Sequence, residues 1–269
     1  MSQEQDWLWN RSMPEIYDRF LKETIFLPHA RALADRAAGV GAERVLETAA
    51  GTGVLTAELV QAMPTAQITA TDLNQAMVDH GSKRVLGAVW RRADAMELPF
   101  PDAFFDLVVC QFGVMFFPDR RAAFAEVARV LQPGGRFLFN TWDVIERSPM
   151  SAAVAAGVAR SFPDDPPMFL ERTPHGYNDV EVITGDLHAA GLQPGDVEHL
   201  SLEGHAPTAA GIAIGFCLGS PLRFEIEARG SLDEAVNSAT EELTRRLGAE
   251  SLTAEMGAII FTASRPAED

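Results

Sequence analysis

Between residues 44 and 143 the hydrophobic pattern switches repeatedly between a short, strand-like rhythm and a helical one. Arg44–Ala50 is a short apolar stretch that predicts a strand, and Val54–Met63 predicts a helix, with Pro64 just beyond its end. "QITATD" (Gln67–Asp72) alternates like a strand, and a helix follows from about Asn74 to Ser82. "AVWRRAD" (Ala88–Asp94) predicts a third strand. "FDLVVCQF" (Phe105–Phe112) is nearly continuous in apolar residues, as in parallel strands covered on both faces. The helix "DRRAAFAEVARVL" (Asp119–Leu131) places Ala122, Phe124, Val127, Ala128 and Leu131 on an inward stripe, and "QPGG" stops it. "RFLFNTWD" (Arg136–Asp143) is the fifth strand. Strands alternating with helices imply βαβ units with right-handed crossovers, and hence a doubly wound α/β domain.

Beyond Asp143 the rhythm changes. Pro149–Arg160 is alanine-rich and helical, "FPDDPPMF" reads as a loop, and Asp179–Gly191 as a helix ended by Gly191. "VEHLSLEG" (Val197–Gly204) predicts a strand. Some forty residues follow with two helical stretches, Thr208–Leu218 and Leu232–Leu247, before a final strand at Met256–Pro266. No internal repeat or low-complexity segment interrupts this order.

Composition narrows the classes. The 269 residues supply enough apolar material, 47%, for a sizeable core. The formal net charge of −16 repels phosphate backbones, and Arg91-Arg92 is typical of the short basic pairs present, so nucleic acid is not an expected partner. "MSQEQDWLWN" lacks a basic segment followed by an apolar one, so no secretory signal is expected. The stretch "AAGIAIGFCLG" (Ala209–Gly219) is too short to span a bilayer. The two cysteines, Cys110 and Cys217, lie in apolar surroundings and read as reduced, buried thiols of a cytoplasmic protein. The six histidines lack zinc-ligand spacing, so no metal is expected.

Open α/β sheets bind ligands at the carboxyl ends of their strands, and four predicted strand ends carry distinctive residues. Gly51-Thr52-Gly53 follows the first strand, where absent side chains let backbone N–H groups approach a ligand, and Glu47 precedes it. Asp72, nineteen residues after Gly53, suits a carboxylate that accepts from both hydroxyls of a ribose. Asp94-Ala95 ends the third strand, where an acid can accept from an adenine amino group. Gln111-Phe112 ends the buried strand. A dinucleotide fingerprint needs a third glycine at position 56, which is Thr56 here. Glu47 also disfavours an adjacent pyrophosphate and favours a nucleoside carrying an amino-acid tail.

Taken together, "VLETAAGTG", "ITATDLN", "RRADAMELPFPDAFFDLVVCQFGVMFFPD" and "RVLQPGGRFLF" resemble the class I S-adenosylmethionine-dependent methyltransferases. The likeness is to the small-molecule branch that includes ubiquinone/menaquinone-biosynthesis enzymes, and it spans roughly Glu43 to Asp143. It implies a Rossmann-like seven-stranded sheet, six strands parallel and the last antiparallel, with helical N-terminal and lid insertions. Glu47, Ala49, Gly51 and Gly53 would form the loop for S-adenosyl-L-methionine. Asp72 would hold the ribose, Leu73 would pack on the adenine, and Met77 would join that side. Asp94, Ala95 and Met96 would meet the adenine edge, and Gln111 and Phe112 would line the methionine side. Glu47 and Ala50 stand where the family often has Asp and Cys. "MPEIYDRFLKETIFLPHARAL" (Met13–Leu33) is similar to the branch's N-terminal helical segment, in which Tyr17 would touch the cofactor and Phe26 would pack nearby.

The resulting expectation has three parts: an N-terminal helical segment (1–42), a cofactor-binding core (43–143), and a remainder (144–269) that completes the sheet. Insertions at about 144–178 and 205–250 would cover the acceptor site, with a packing or dimerisation element as the alternative. Methyl transfer from a sulfonium needs alignment more than activation. A base is needed only for an acceptor with a high-pKa proton, and His175, Tyr177 and His205 are the candidates. The expected partner is a small, apolar acceptor, for a monomer or homodimer. A catalytically silent S-adenosylmethionine binder and, less favoured, a nicotinamide-dependent oxidoreductase remain as alternatives.

Overall fold

The computed structural model describes residues 13–267. The described residues begin with α1 (Met13–Phe20), a wide π-type turn at Lys22–Phe26, and α2 (Leu27–Ala38). β1 (Arg44–Glu47), α3 (Val54–Ala62), β2 (Gln67–Asp72), α4 (Gln75–Arg84) and β3 (Ala88–Arg92) follow. Next come β4 (Phe105–Gln111), α5 (Arg120–Val130), β5 (Leu131–Trp142), α6 (Pro149–Ser161), α7 (Phe169–Arg172) and α8 (Val180–Ala189). The last elements are β6 (Gln193–Thr208), α9 (Ala209–Gly219), α10 (Leu222–Glu227), α11 (Leu232–Leu247) and β7 (Glu250–Ser264).

The strands form one sheet in the order β3-β2-β1-β4-β5-β7-β6. β1 is parallel to β2 and β4, β2 to β3, and β4 to β5. Along β7 the register descends as it climbs along β5: Gly134 and Gly135 bond to Arg265, and Asp143 bonds to Gly257. The same holds against β6, where Thr262 bonds to Asp196 and Glu255 to Ser201. β7 is therefore antiparallel to both neighbours, and the other six strands share one direction. The strand order reverses between β1 and β4, which is where such sheets accept ligands.

The chain divides into two compact units. The α/β unit comprises His29–Thr141, Asn178–Leu200 and residues 259–267. Its central strand β4 buries Leu107, Val108, Val109 and Cys110 completely, as its continuous apolar run requires. A cluster of Phe124, Phe137, Phe139 and Phe261 fills one side, with ring centroids 4.6 Å apart for Phe137–Phe139 and 5.0 Å for Phe139–Phe261. Burying each such ring contributes about 2–3 kcal/mol. Asn74, Asp119 and Asp179 cap α4, α5 and α8 by accepting from N–H groups of the first turn. The inward stripe of α5 differs from the sequence reading: Ala123, Phe124, Val127 and Val130 are buried, while Ala122 and Ala128 are only half-buried. Pairing of β5 starts at Leu131, opposite Phe105, and resumes at Arg136, opposite Leu107; "QPGG" bulges between them instead of merely ending the helix.

The helical unit comprises residues 13–28, Trp142–Tyr177 and Ser201–Ala258. α6 crosses α11 so closely that a Cβ on Gly157 would lie 2.5 Å from the Ala239 Cα. α1 lies on the glycine face of α9: added Cβ atoms on Gly211, Gly215 and Gly219 would meet Phe20, Leu21 and Ile16 at 3.3, 2.5 and 3.0 Å. The glycine face of this apolar run is thus a seat for α1. Glu242 is buried and joins helices by accepting from Arg160 of α6 and from Arg245 and Arg246 of its own helix. The insertion between β6 and β7 holds three helices instead of two, and the Ala209 N–H closes its base on the Ala249 carbonyl at 2.9 Å.

Candidate functional site

β1 ends in Glu47, and the chain then turns through Thr48–Gly53 into α3. Three residues of this turn are left-handed: Ala49 at φ 52°, Gly51 at 57° and Gly53 at 86°. The turn is anchored to both neighbouring strands, because Thr48 N–H donates to the Val109 carbonyl and Ala50 N–H to the Thr71 carbonyl. A Cβ on Gly51 would meet nothing within 4 Å, so that side of the turn is open to a ligand. Gly53 is held for another reason: its Cβ would lie 2.9 Å from the Trp90 indole, and its φ is one that L side chains rarely adopt.

Asp72, at the end of β2, is tied to this turn. One carboxylate oxygen accepts from Gly51 N–H at 2.8 Å, and the other from Asn74 N–H at 2.8 Å. Each oxygen retains a lone pair for a further donor. Glu47 is buried and accepts from the Thr56 hydroxyl at 2.6 Å. Burial pushes its carboxyl up to about 8, against the Thr56 hydrogen bond and reinforced by the Asp72 charge. Burial likewise raises Asp72, against the two N–H groups that favour its charged form. Both acids thus hold a proton more tightly than an exposed carboxyl does.

At the end of β3, the Ala93 N–H bonds to the Asp72 carbonyl, which brings Asp94 beside the β2 end. Asp94 accepts from Met96 N–H at 2.8 Å and so shapes Asp94–Met96 into a turn. Leu73 is 40% exposed, whereas Met77 is buried on the inner face of α4. Gln111 closes β4, and Phe112 follows in the left-handed region at φ 49°. The structure thus brings Glu47, Ala49, Gly51, Gly53 and Asp72 together at the ends of β1 and β2, where Gly51 and Asp72 are hydrogen-bonded, with Asp94, Ala95 and Met96 on the adjoining strand end.

The remaining candidates lie in the helical unit. The Tyr17 and Phe26 rings stack at 4.5 Å, Phe26 meets Trp142 edge-on at 6.0 Å, and Trp142 lies 6.1 Å from His175. His175 is buried, and its Nδ1 lies 2.7 Å from the Asp143 carbonyl. A carbonyl only accepts, so Nδ1 carries the proton. Burial lowers the imidazole to about 4, which keeps it neutral at pH 7. Tyr177 is buried. His205 is instead exposed on β6, with Nδ1 on the Thr253 hydroxyl at 3.0 Å and Nε2 3.2 Å from Glu203.

Thr56, Gly113 and Asn140 were missed as site residues. Thr56 entered the sequence reading only as an absent glycine, yet it holds Glu47. Gly113 fits closely, since its Cβ would lie 2.6 Å from both the Ala49 Cβ and the Cys110 Sγ. The signal for Asn140 was a polar residue within the apolar strand "RFLFNTW". Both cysteines are free and buried. Among the described residues, no group of three or more His, Cys, Asp or Glu could hold a metal, and no helix is long and apolar enough to cross a membrane.

Residues 46–139, about a third of the chain, match the family model described as a methyltransferase domain. A demethylmenaquinone methyltransferase of Deinococcus radiodurans is 35% identical over 136 residues, covering 49% of this chain and 54% of its own. A ubiquinone/menaquinone biosynthesis C-methyltransferase UbiE of Burkholderia orbicola is 39% identical over 114 residues, covering 39% and 47%. The chain thus spans about half the length of the curated relatives it matches. In fold, it is similar to phosphoethanolamine N-methyltransferase 2 of Haemonchus contortus, solved with phosphomonomethylethanolamine and S-adenosylhomocysteine. The TM-score is 0.60 at 18% identity, covering 99% of this chain and 60% of the other. Residues 46–139 are thus similar to a methyltransferase domain, and the sheet around them has the Rossmann-like fold of that solved neighbour.

Proposed function

We propose that the protein is an S-adenosylmethionine-dependent methyltransferase acting on a small, apolar acceptor. The observation that carries this reading is the bonded group at the ends of β1 and β2. There, a left-handed turn donates the Gly51 N–H to an Asp72 carboxylate that keeps a lone pair on each oxygen, and a buried Glu47, held by the Thr56 hydroxyl, ends the neighbouring strand. Asp72 accepts from the ribose hydroxyls, with Leu73 and Met77 on the adenine side, and Asp94, Ala95 and Met96 hold the adenine edge. Glu47 favours the ammonium group of the methionine tail, which in turn favours its charged form. Ala49, Gly51 and Gly53 shape the loop, and Gln111 and Phe112 line the methionine side.

S-Adenosylmethionine supplies an electrophilic methyl group on a sulfonium, displaced in line by the acceptor. The protein aligns the two reactants and keeps water away from the nucleophile. We assign acceptor recognition to the helical unit, 144–178 and 205–250 together with the N-terminal helices. The supporting observation is the Tyr17–Phe26–Trp142–His175 ring series with neutral His175. Where the acceptor must lose a proton, His175 or Tyr177 takes it in preference to the exposed His205. Buried reduced thiols fit a cytoplasmic monomer or homodimer, and the acidic charge fits the absence of nucleic acid from its partners.

The test is transfer of label. Incubated with S-adenosylmethionine carrying a labelled methyl group and a panel of phenols, quinols and amines, the protein moves label into at least one acceptor. Label that stays on the cofactor, despite tight cofactor binding, makes the chain a silent binder.

A further inference from the structure

Phe112 is the one proposed cofactor residue outside the turn with a left-handed backbone, a conformation its Cβ makes unfavourable. Its N–H is caught by Asn140, the residue in register with Gln111 across β4 and β5. The side-chain Oδ1 accepts at 2.9 Å, and the Asn140 carbonyl lies at 3.3 Å. The donor must face the amide oxygen, so the orientation of this amide is fixed by the bond itself.

The other end of the Asn140 side chain makes the choice of residue informative. Asn140 is fully buried, and its Nδ2 has no hydrogen-bond partner among the described residues. An apolar residue of similar volume would fill the strand without stranding a donor. What Asn supplies, and Leu does not, is an acceptor aimed at the Phe112 N–H.

The consequence reaches the turn after β1. With Phe112 left-handed, Gly113 seats where a Cβ would lie 2.6 Å from the Ala49 Cβ, and Ala49 is itself left-handed. The Phe112 ring is braced by His29, edge-on at 5.3 Å. Asn140, Phe112, Gly113 and Ala49 therefore form a continuous path from β5 to the cofactor turn, all within the α/β unit.

We infer that Asn140 is a positioning residue for the cofactor: by holding the Phe112 N–H, it fixes the loop after β4 against the turn after β1 before any ligand arrives. This rests on the S-adenosylmethionine reading above. It requires that Asn140 act through the backbone conformation of Phe112 and not through general packing.

Calorimetric titration with S-adenosylhomocysteine tests it in a double-mutant cycle. Asn140→Leu weakens binding at least tenfold, while Asn140→Asp, which keeps an acceptor at the same place, retains binding within threefold. In a Phe112→Gly background, where the left-handed backbone needs no support, Asn140→Leu costs less than threefold. Circular dichroism confirms that each variant is folded, and the Asp variant carries the test if the Leu variant is not. Equal losses from Asn140→Leu in both backgrounds, or an Asn140→Asp variant that also loses tenfold, overturn the inference. If the unmutated protein does not bind S-adenosylhomocysteine, the functional reading fails instead, which separates the two.

Discussion

In the α/β unit a buried acid, Glu47, lies against the Thr56 hydroxyl at the end of β1. In the helical unit a buried imidazole, His175, lies against the Asp143 carbonyl. Burial keeps both groups neutral near pH 7 but moves them in opposite directions, Glu47 up to about 8 and His175 down to about 4. The surroundings differ as well. Glu47 sits with the Thr56 hydroxyl, the charge of a second acid, Asp72, and a left-handed turn, a setting suited to a charged, hydrogen-bonding ligand. His175 sits beside Trp142 in a series of rings, a setting suited to an apolar one. The same physical force, burial, thus acts on an acid in one unit and on a base in the other, and in each it favours the neutral form.

The largest effect should come from breaking the packing of the helical unit alone. Gly157→Val drives a side chain into the Ala239 backbone and lowers stability by about 3 kcal/mol in urea titration. A change below about 0.5 kcal/mol would mean that α6 and α11 part more easily than their spacing indicates.

The pH dependence of stability sharpens the contrast. Folded Glu47 holds its proton to a higher pH than the unfolded chain does, so its contribution is lost as pH rises from the ordinary carboxylate range through about 8. Folded His175 lacks a proton that the unfolded chain binds, so its contribution is lost as pH falls from the ordinary imidazole range toward 4. Each limb amounts to a few kcal/mol. In urea titrations between pH 4 and 9, Glu47→Gln flattens the alkaline limb and His175→Gln the acid limb. An exchange of these assignments would reverse the account of the two environments.

A smaller effect breaks the cofactor side. Asp72→Ala removes the acceptor bonded to Gly51 and Asn74 and weakens S-adenosylhomocysteine binding at least tenfold, about 1.4 kcal/mol. Unchanged affinity would remove Asp72 from the site. His205→Ala, which deletes an exposed ring with surface partners, should change stability by about 0.5 kcal/mol or less and leave label transfer unaffected. A tenfold drop in transfer would return His205 to the list of bases.

The two units were unequally legible in the sequence. The α/β unit announces itself because strand period, buried strand composition and glycine turns are local features; "FDLVVCQF" and "QITATD" became β4 and β2 within a residue of their expected bounds. Within the same unit, Thr56 and Asn140 stayed hidden because their roles depend on partners 9 and 28 residues away. The helical unit was harder. "AAGIAIGFCLG" gave its helix, but not that its glycines seat α1, because which face of an apolar helix meets which neighbour is a tertiary matter. The strands β6 and β7 each extend several residues beyond their predicted segments, since exposed polar positions in "HAPT" and "ESLTAE" conceal a ladder set by pairing alone.

The central claim is that the turn after β1 receives a sulfonium nucleoside and not a dinucleotide. Isothermal titration of the protein with S-adenosylmethionine, S-adenosylhomocysteine and NADH measures this directly. The account predicts micromolar binding of both adenosyl compounds and no heat from NADH. Binding of NADH with neither adenosyl compound bound would contradict it.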